Sequence, residues 1–196
     1  MINYGTMHIP INKNSVILLM GCSGSGKSTF TKRHFEPTEV VSSDACRALV
    51  CDDEGNQSST TLAFQILHMI SEARLKFKRL VVVDATNVKD KSRRPIVEMA
   101  KKNKVPCIAV VLYEDLGTCI RRNSLRNRKV PEAVILDQYD SLKESIRKMD
   151  GEGFDEVYIL YPGEIEMVRF MLNTNAETTL DSDYIGKYLA PESLVD

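Results

Sequence analysis

The chain has 196 residues, 43% of them hydrophobic and 27% charged, with a formal net charge of −1. This is the balance of a soluble globular protein, one ordinary domain with some extra chain, long enough to bury a core without staples. No apolar run approaches a membrane span, the opening residues do not form a secretory signal, and five cysteines without a CxxC pair point to reduced thiols in a cytoplasmic protein.

Residues 15–20 (SVILLM) form a continuous apolar run ending at Gly21, which predicts a buried parallel strand. A helix over about 28–35 should follow and stop before Pro37. Residues 39–42 predict a short second strand, and Asp44 stands where a helix N-cap would, ahead of ACRALV. The polar stretch 51–59 is expected to be a loop. Over 60–77, Leu62, Ile66, Met69, Ile70, Ala73 and Phe77 recur at helical spacing, which predicts a core-facing stripe. Residues 80–84 (LVVVD) predict another buried strand, 92–103 an amphipathic helix with a basic face, and 106–113 a fourth strand. A helix from Asp115 to about Arg122 runs into the basic stretch RRNSLRNRK, and Pro131 restarts a helix reaching about Met149. A fifth strand is expected at 154–161 and a last helix at 164–172. Strands alternating with helices imply an α/β fold, a parallel sheet with helices on both faces. This gives a domain over 1–172 with an arginine-rich lid at about 121–130, and a polar, acidic extension over 173–196.

Gly21-Cys22-Ser23-Gly24-Ser25-Gly26-Lys27-Ser28 fits GxxxxGK[ST] in full and lies between a predicted strand and a predicted helix. In such a loop, through Thr29, glycines let backbone N–H groups turn inward around a phosphate, and the helix presents its positive end to it. Lys27 then bridges the terminal phosphates, and the Ser28 hydroxyl is a ligand for magnesium (or manganese). A nucleoside triphosphate, ATP, is the implied cofactor. Asp84 ends the strand LVVVD as a Walker B carboxylate does, a second metal-side group; a plain helix-capping Asp has the same appearance. Asn87 follows closely enough to face the same cleft.

Loops at the carboxyl ends of parallel strands surround the ligand crevice. There, Asp44 and Arg47 share one helix face at i,i+3. A carboxylate in that place can accept a proton from an acceptor hydroxyl, and a guanidinium beside it can grip a phosphate; a capping Asp with a surface ion pair fits the spacing equally. Arg121, Arg122, Arg126, Arg128 and Lys129 crowd one short stretch where small kinases place a lid, from which an arginine can neutralise charge on a transferred phosphoryl group. Residues 1–149 carry a net +8 and residues 150–196 a net −9, so the body suits a polyanionic acceptor.

In this order, GCSGSGKSTF, VVSSDACR, VVVDATN and RNxxRxRxVPxxVI resemble the 5′-hydroxyl polynucleotide kinases, in particular the kinase module of bacterial polynucleotide kinase-phosphatases of RNA repair. The resemblance spans roughly 12–170. It implies a kinase that phosphorylates 5′-OH ends of RNA or DNA with ATP and Mg²⁺. Asp44 is then the general base, Arg47 the acceptor-phosphate arginine with Asn87 nearby, and Arg126 or Arg128 the lid arginine. Arg122 is expected to contact the nucleotide. The segment between Asn123 and Val130 is about one residue shorter than in the family, which leaves the two lid arginines undecided. Phosphatase and ligase partners in repair and self-association are compatible with the resemblance. Two other readings share the scaffold: a kinase of a small metabolite, and a nucleotide-gated regulatory module.

Overall fold

A computed structural model describes residues 7–173, and the extension expected over 173–196 lies almost wholly outside the described residues. Five parallel strands form the central sheet. They are β2 (Val16–Met20), β3 (Val40–Ser42), β4 (Val81–Asp84), β5 (Cys107–Leu112) and β6 (Glu156–Leu160), in the order β3-β4-β2-β5-β6. Every residue of β2, β4 and β5 is buried, as their unbroken apolar runs require of strands covered on both faces.

Alternate residues of these strands feed two cores. Val16, Leu18, Val81, Val83 and Ala109 pack under α3 (Thr60–Lys76) and α4 (Asp90–Asn103) through Leu67, Ile96 and Ala100. Ile17, Leu19, Val82 and Val110 pack on the other face, against Phe30 of α1 (Lys27–His34). The remaining helices are α2 (Ser43–Cys51), α5 (Leu116–Ser124) and α6 (Glu132–Ile146).

Three expectations are corrected. The segment expected as a last helix ends in a strand, β7 (Val168–Leu172), paired in parallel with β1 (Met7–Ile11) near the N-terminus. Val168 and Phe170 of β7 and Ile9 and Ile11 of β1 are buried in the α1-side core, so the segment alternates in and out as a strand does. The helix after β3 is capped by Ser42, whose Oγ accepts from Ala45 N at 3.4 Å, and not by Asp44. On α3, the face turned inward is Ala63, Leu67, Ser71 and Leu75, while Leu62, Met69, Ile70 and Phe77 are exposed. The helix is apolar on two sides, and the side with the smaller residues fits against the sheet and α2.

Candidate functional site

The phosphate loop joins β2 to α1. Gly26 caps α1 in the left-handed region at φ 97°, and Gly24 stands at φ 90°. At Gly24 a side chain is excluded twice over: its Cβ would lie 2.2 Å from the carbonyl oxygen of Cys119 on α5. Lys27 Nζ turns back into the loop and donates to Gly21 O at 2.7 Å, Cys22 O at 2.9 Å and Ser25 Oγ at 3.3 Å. Burial pushes this ammonium below its ordinary pKa, with Asp84 pulling the other way and Arg126 adding to the fall. Ser23 N donates to Gln138 Oε1 on α6 at 2.8 Å, which braces the loop from outside.

Ser28 Oγ donates to Asp84 Oδ2 at 3.2 Å. Burial raises the Asp84 pKa, against the pull of Lys27, Ser28 and Arg126. Among the described residues no group of three or more His, Cys, Asp or Glu side chains gathers to hold a metal. Ser28 and Asp84, one hydroxyl and one carboxylate, could hold an ion that takes most of its shell from phosphate and water oxygens, the habit of Mg²⁺. Such an ion neutralises phosphate charge.

The β3–β4 register pairs Ser42 with Asp84. The carboxyl end of β3 thus lies beside Asp84, and α2 starts there. Asp44 Oδ1 accepts from Arg47 Nη2, and its Oδ2 accepts from Arg128 Nη1 at 3.2 Å. Arg47 is buried and its Nε donates to Glu54 O at 2.8 Å, while the Asp44 side chain is half exposed. Arg128 also pairs with Glu54 Oε1 at 3.5 Å.

The two arginines expected in a lid, Arg126 and Arg128, are therefore in different places. Arg126 lines a cleft of about 580 Å³ that opens over the phosphate loop and acts electrostatically on Lys27 and Asp84. Arg128 lies on the Asp44 side. Arg122 lines the same cleft, with Nη1 donating to Glu114 Oε2 at 2.9 Å. Asn87, expected toward the acceptor, is 2% exposed and spends its Nδ2 on Leu19 O at 2.8 Å, binding the end of β2 to the loop after β4.

Several contributors were not anticipated. The far wall of the cleft comes from Arg33, Pro162, Ile165 and Glu166, with Arg33 bridged to Glu166 at 3.1 Å. The turn at Pro162-Gly163 after β6 carries the only sequence signal for that wall, since it follows a strand end on the site's side of the sheet. Asn123 pinches the segment between α5 and α6: its Nδ2 donates to Val130 O at 2.8 Å and its Oδ1 accepts from Val130 N at 3.0 Å.

This chain matches the AAA domain family over residues 16–146. It is 33% identical over 73 residues to an L-seryl-tRNA(Sec) kinase of Methanococcus maripaludis, a stretch covering 37% of this chain and 28% of that protein. Its fold superposes on a chain of the Pnkp1/Rnl/Hen1 RNA repair complex with a TM-score of 0.60 and 19% identity, over 75% of this chain and 47% of that one. A gluconokinase from Sinorhizobium meliloti shares the fold with a TM-score of 0.50 and 16% identity, over 80% of this chain and 88% of that one. The chain thus spans well under two thirds of the first two of these proteins. With its phosphate loop, its five-stranded parallel sheet and a match covering most of its length, the chain belongs to the AAA domain family and has the fold of the P-loop kinases.

Proposed function

We propose that this protein is an ATP-dependent kinase that phosphorylates the 5′-hydroxyl end of RNA or DNA. The observation that carries the reading is the register between Ser42 and Asp84: the helix that bears Asp44 and Arg47, with Arg128 paired to Asp44, starts at the strand end beside the one that carries Asp84 and its partner Ser28. A regulatory switch needs the second group and has no use for the first. In this reading Lys27 and the loop N–H groups hold the terminal phosphates, and Arg126 meets the charge that develops on the transferred group. Asp44 orients the attacking hydroxyl and takes its proton. Arg47, with Arg128, grips the phosphate next to the reacting end in a fork. The RNA repair complex and the tRNA-directed relative support a nucleic-acid acceptor, and repair enzymes acting on the same ends are its expected partners.

The test offers labelled ATP and magnesium with a 5′-OH oligonucleotide, a nucleoside, gluconate and L-seryl-tRNA in parallel. Label on the oligonucleotide terminus is the expected result. Label confined to gluconate or the nucleoside replaces the reading with a small-metabolite kinase, and label on the seryl group moves the acceptor to an aminoacylated RNA.

A further inference from the structure

Phosphoryl transfer makes no use of the two sulfurs beneath the phosphate loop. Cys22 is the second residue of that loop and Cys119 belongs to α5. Their sulfurs stand 3.3 Å apart, both side chains are buried, and both are free thiols. Around them lie Ile135, Leu116, Ile120 and Tyr139, a small apolar cluster separate from the two cores of the sheet. Resting on it, the loop is tied to α5 at two adjacent points, the sulfur pair and the contact of Gly24 with the Cys119 carbonyl.

We propose that Cys22 and Cys119 form a redox modification site: a hydroperoxide converts them to a disulfide that closes the phosphate loop to nucleotide, and a thiol reduces it again. The proposal rests on the nucleotide reading of the loop. Its chemistry balances in two steps. The Cys22 thiolate attacks one peroxide oxygen, the O–O bond breaks, and a sulfenic acid and hydroxide result, the latter taking up the thiol proton as water. The Cys119 sulfur then attacks the sulfenic sulfur, the S–O bond breaks, and a second water leaves with the Cys119 proton. Two thiols are oxidised, and one hydroperoxide is reduced.

The surroundings divide these roles. The Cys119 thiol draws the Cys22 pKa below its ordinary value, burial opposes this, and the Lys27 ammonium reinforces it; Cys119 itself is held well above its ordinary value by the same contact and by burial. The Lys27 ammonium, held by the Cys22 carbonyl at 2.9 Å, marks Cys22 as the attacking sulfur and leaves Cys119 as the resolving one. A hydroperoxide is small, and the cleft over the loop reaches Gly24 and Ser25, so the phosphate route leads to within a few residues of Cys22.

Closure follows from what Cys22 carries. A disulfide brings sulfurs to about 2.05 Å, so bonding draws the loop and α5 together by roughly 1 Å. The Cys22 carbonyl accepts from Lys27 Nζ and from Ser25 N, at 2.9 and 3.1 Å. Gly24 has no room to follow, because the Cys119 carbonyl already fills the place of a side chain there. The loop yields by turning its N–H groups and Lys27 away from the phosphate. Losing one charge-assisted hydrogen bond from the cradle weakens ATP binding by about tenfold or more.

The full chain is treated with hydrogen peroxide, remaining thiols are blocked with N-ethylmaleimide, and peptides are mapped while a fluorescent ATP analogue is titrated. A peptide joining Cys22 to Cys119 is expected, with Kd raised at least about tenfold and both changes reversed by dithiothreitol. Reduced Cys119→Ala should bind the analogue and keep its Kd after peroxide. The proposal is overturned if reduced protein binds nucleotide and no joined peptide forms. It is equally overturned if the peptide forms with Kd unchanged, or if Cys119→Ala loses affinity as the wild type does. A reduced wild type that binds no nucleotide overturns the reading of the loop itself, a separate failure visible before any oxidant is added.

Discussion

Asp44 is met by two guanidiniums of different standing. Arg47 is buried and anchored to the Glu54 carbonyl, so it is fixed; Arg128 reaches over from the segment between α5 and α6 and shares itself with Glu54. Because Ser42 does the capping, Asp44→Asn leaves the helix start intact; it removes the carboxylate charge facing Arg47 and Arg128 but keeps an oxygen that can accept from them. Loss of a general base typically costs 10²–10⁴-fold, so the rate of transfer to an oligonucleotide should fall by about that factor with ATP affinity unchanged. A rate near wild type in correctly folded protein would end the general-base role. The lid arginines give a second pair of outcomes. Arg126→Ala should lower kcat more than it weakens ATP binding, since its charge acts on Lys27 and Asp84, and in the proposed function it meets the charge of the transferred group. Arg128→Ala should raise KM for the oligonucleotide and leave ATP untouched. Steady-state kinetics with each substrate varied separates the two, and identical profiles would remove the distinction. In the sequence, spacing and resemblance brought both arginines to the lid; it took the ion pairs of Asp44 and Glu54 to tell them apart.

At the scale of elements, what was legible was local. The phosphate loop, its strand and its helix follow from consecutive residues, because the glycines and the apolar run VILLM each dictate their own conformation. What was illegible depends on distant partners. Residues 168–172 are strand only because Met7–Ile11 lies alongside, and the inward side of α3 is chosen by what its neighbours leave room for. A third hidden feature is the clamp at Arg93. This residue is fully buried, and its guanidinium donates from Nε to Glu152 Oε2 at 2.6 Å and from Nη2 to Glu152 Oε1. Its Nη1 reaches Asn87 O at 2.8 Å and Ser145 Oγ at 3.1 Å, joining α4 and α6 to the loop after Asp84. Breaking such a pair from one side strands a buried charge. Glu152→Gln should therefore destabilise the protein by about 3–5 kcal/mol, whereas replacing both partners with methionine should restore most of that. Chemical denaturation of the two variants checks this. Equal losses in both would mean that the site needs the geometry of the pair and not just charge balance.

Over the whole molecule, charge is divided: +8 in residues 1–149 and −9 in the remainder. The sign of the body alone does not identify an acceptor, because part of it, Lys91, Arg94, Lys101 and Lys102, lies on the solvated face of α4. Two of these charges sit apart from the rest. Arg47 and Arg128 flank Asp44, and in the proposed function they grip the phosphate next to a 5′-hydroxyl. A single-stranded nucleic acid bound there releases counterions, and the logarithm of affinity falls against the logarithm of salt concentration with a slope of about −0.7 for each phosphate contact. Two contacts give a slope of about −1.4 for kcat/KM measured with an oligonucleotide at saturating ATP. Arg47→Ala should reduce the steepness by about 0.7, and Arg128→Ala by a similar amount. A free nucleoside offered to the same enzyme should show almost no salt dependence, because it has no phosphate to grip. The measurement also separates Arg47 from the general charge of the body: Lys143→Ala on the outer face of α6 removes the same unit charge, paired to Asp140 far from Asp44 in sequence, and should leave the slope unchanged. If Lys143→Ala changes the slope as much as Arg47→Ala does, the acceptor is held by the diffuse field of a basic protein, and Arg47 is not its clamp.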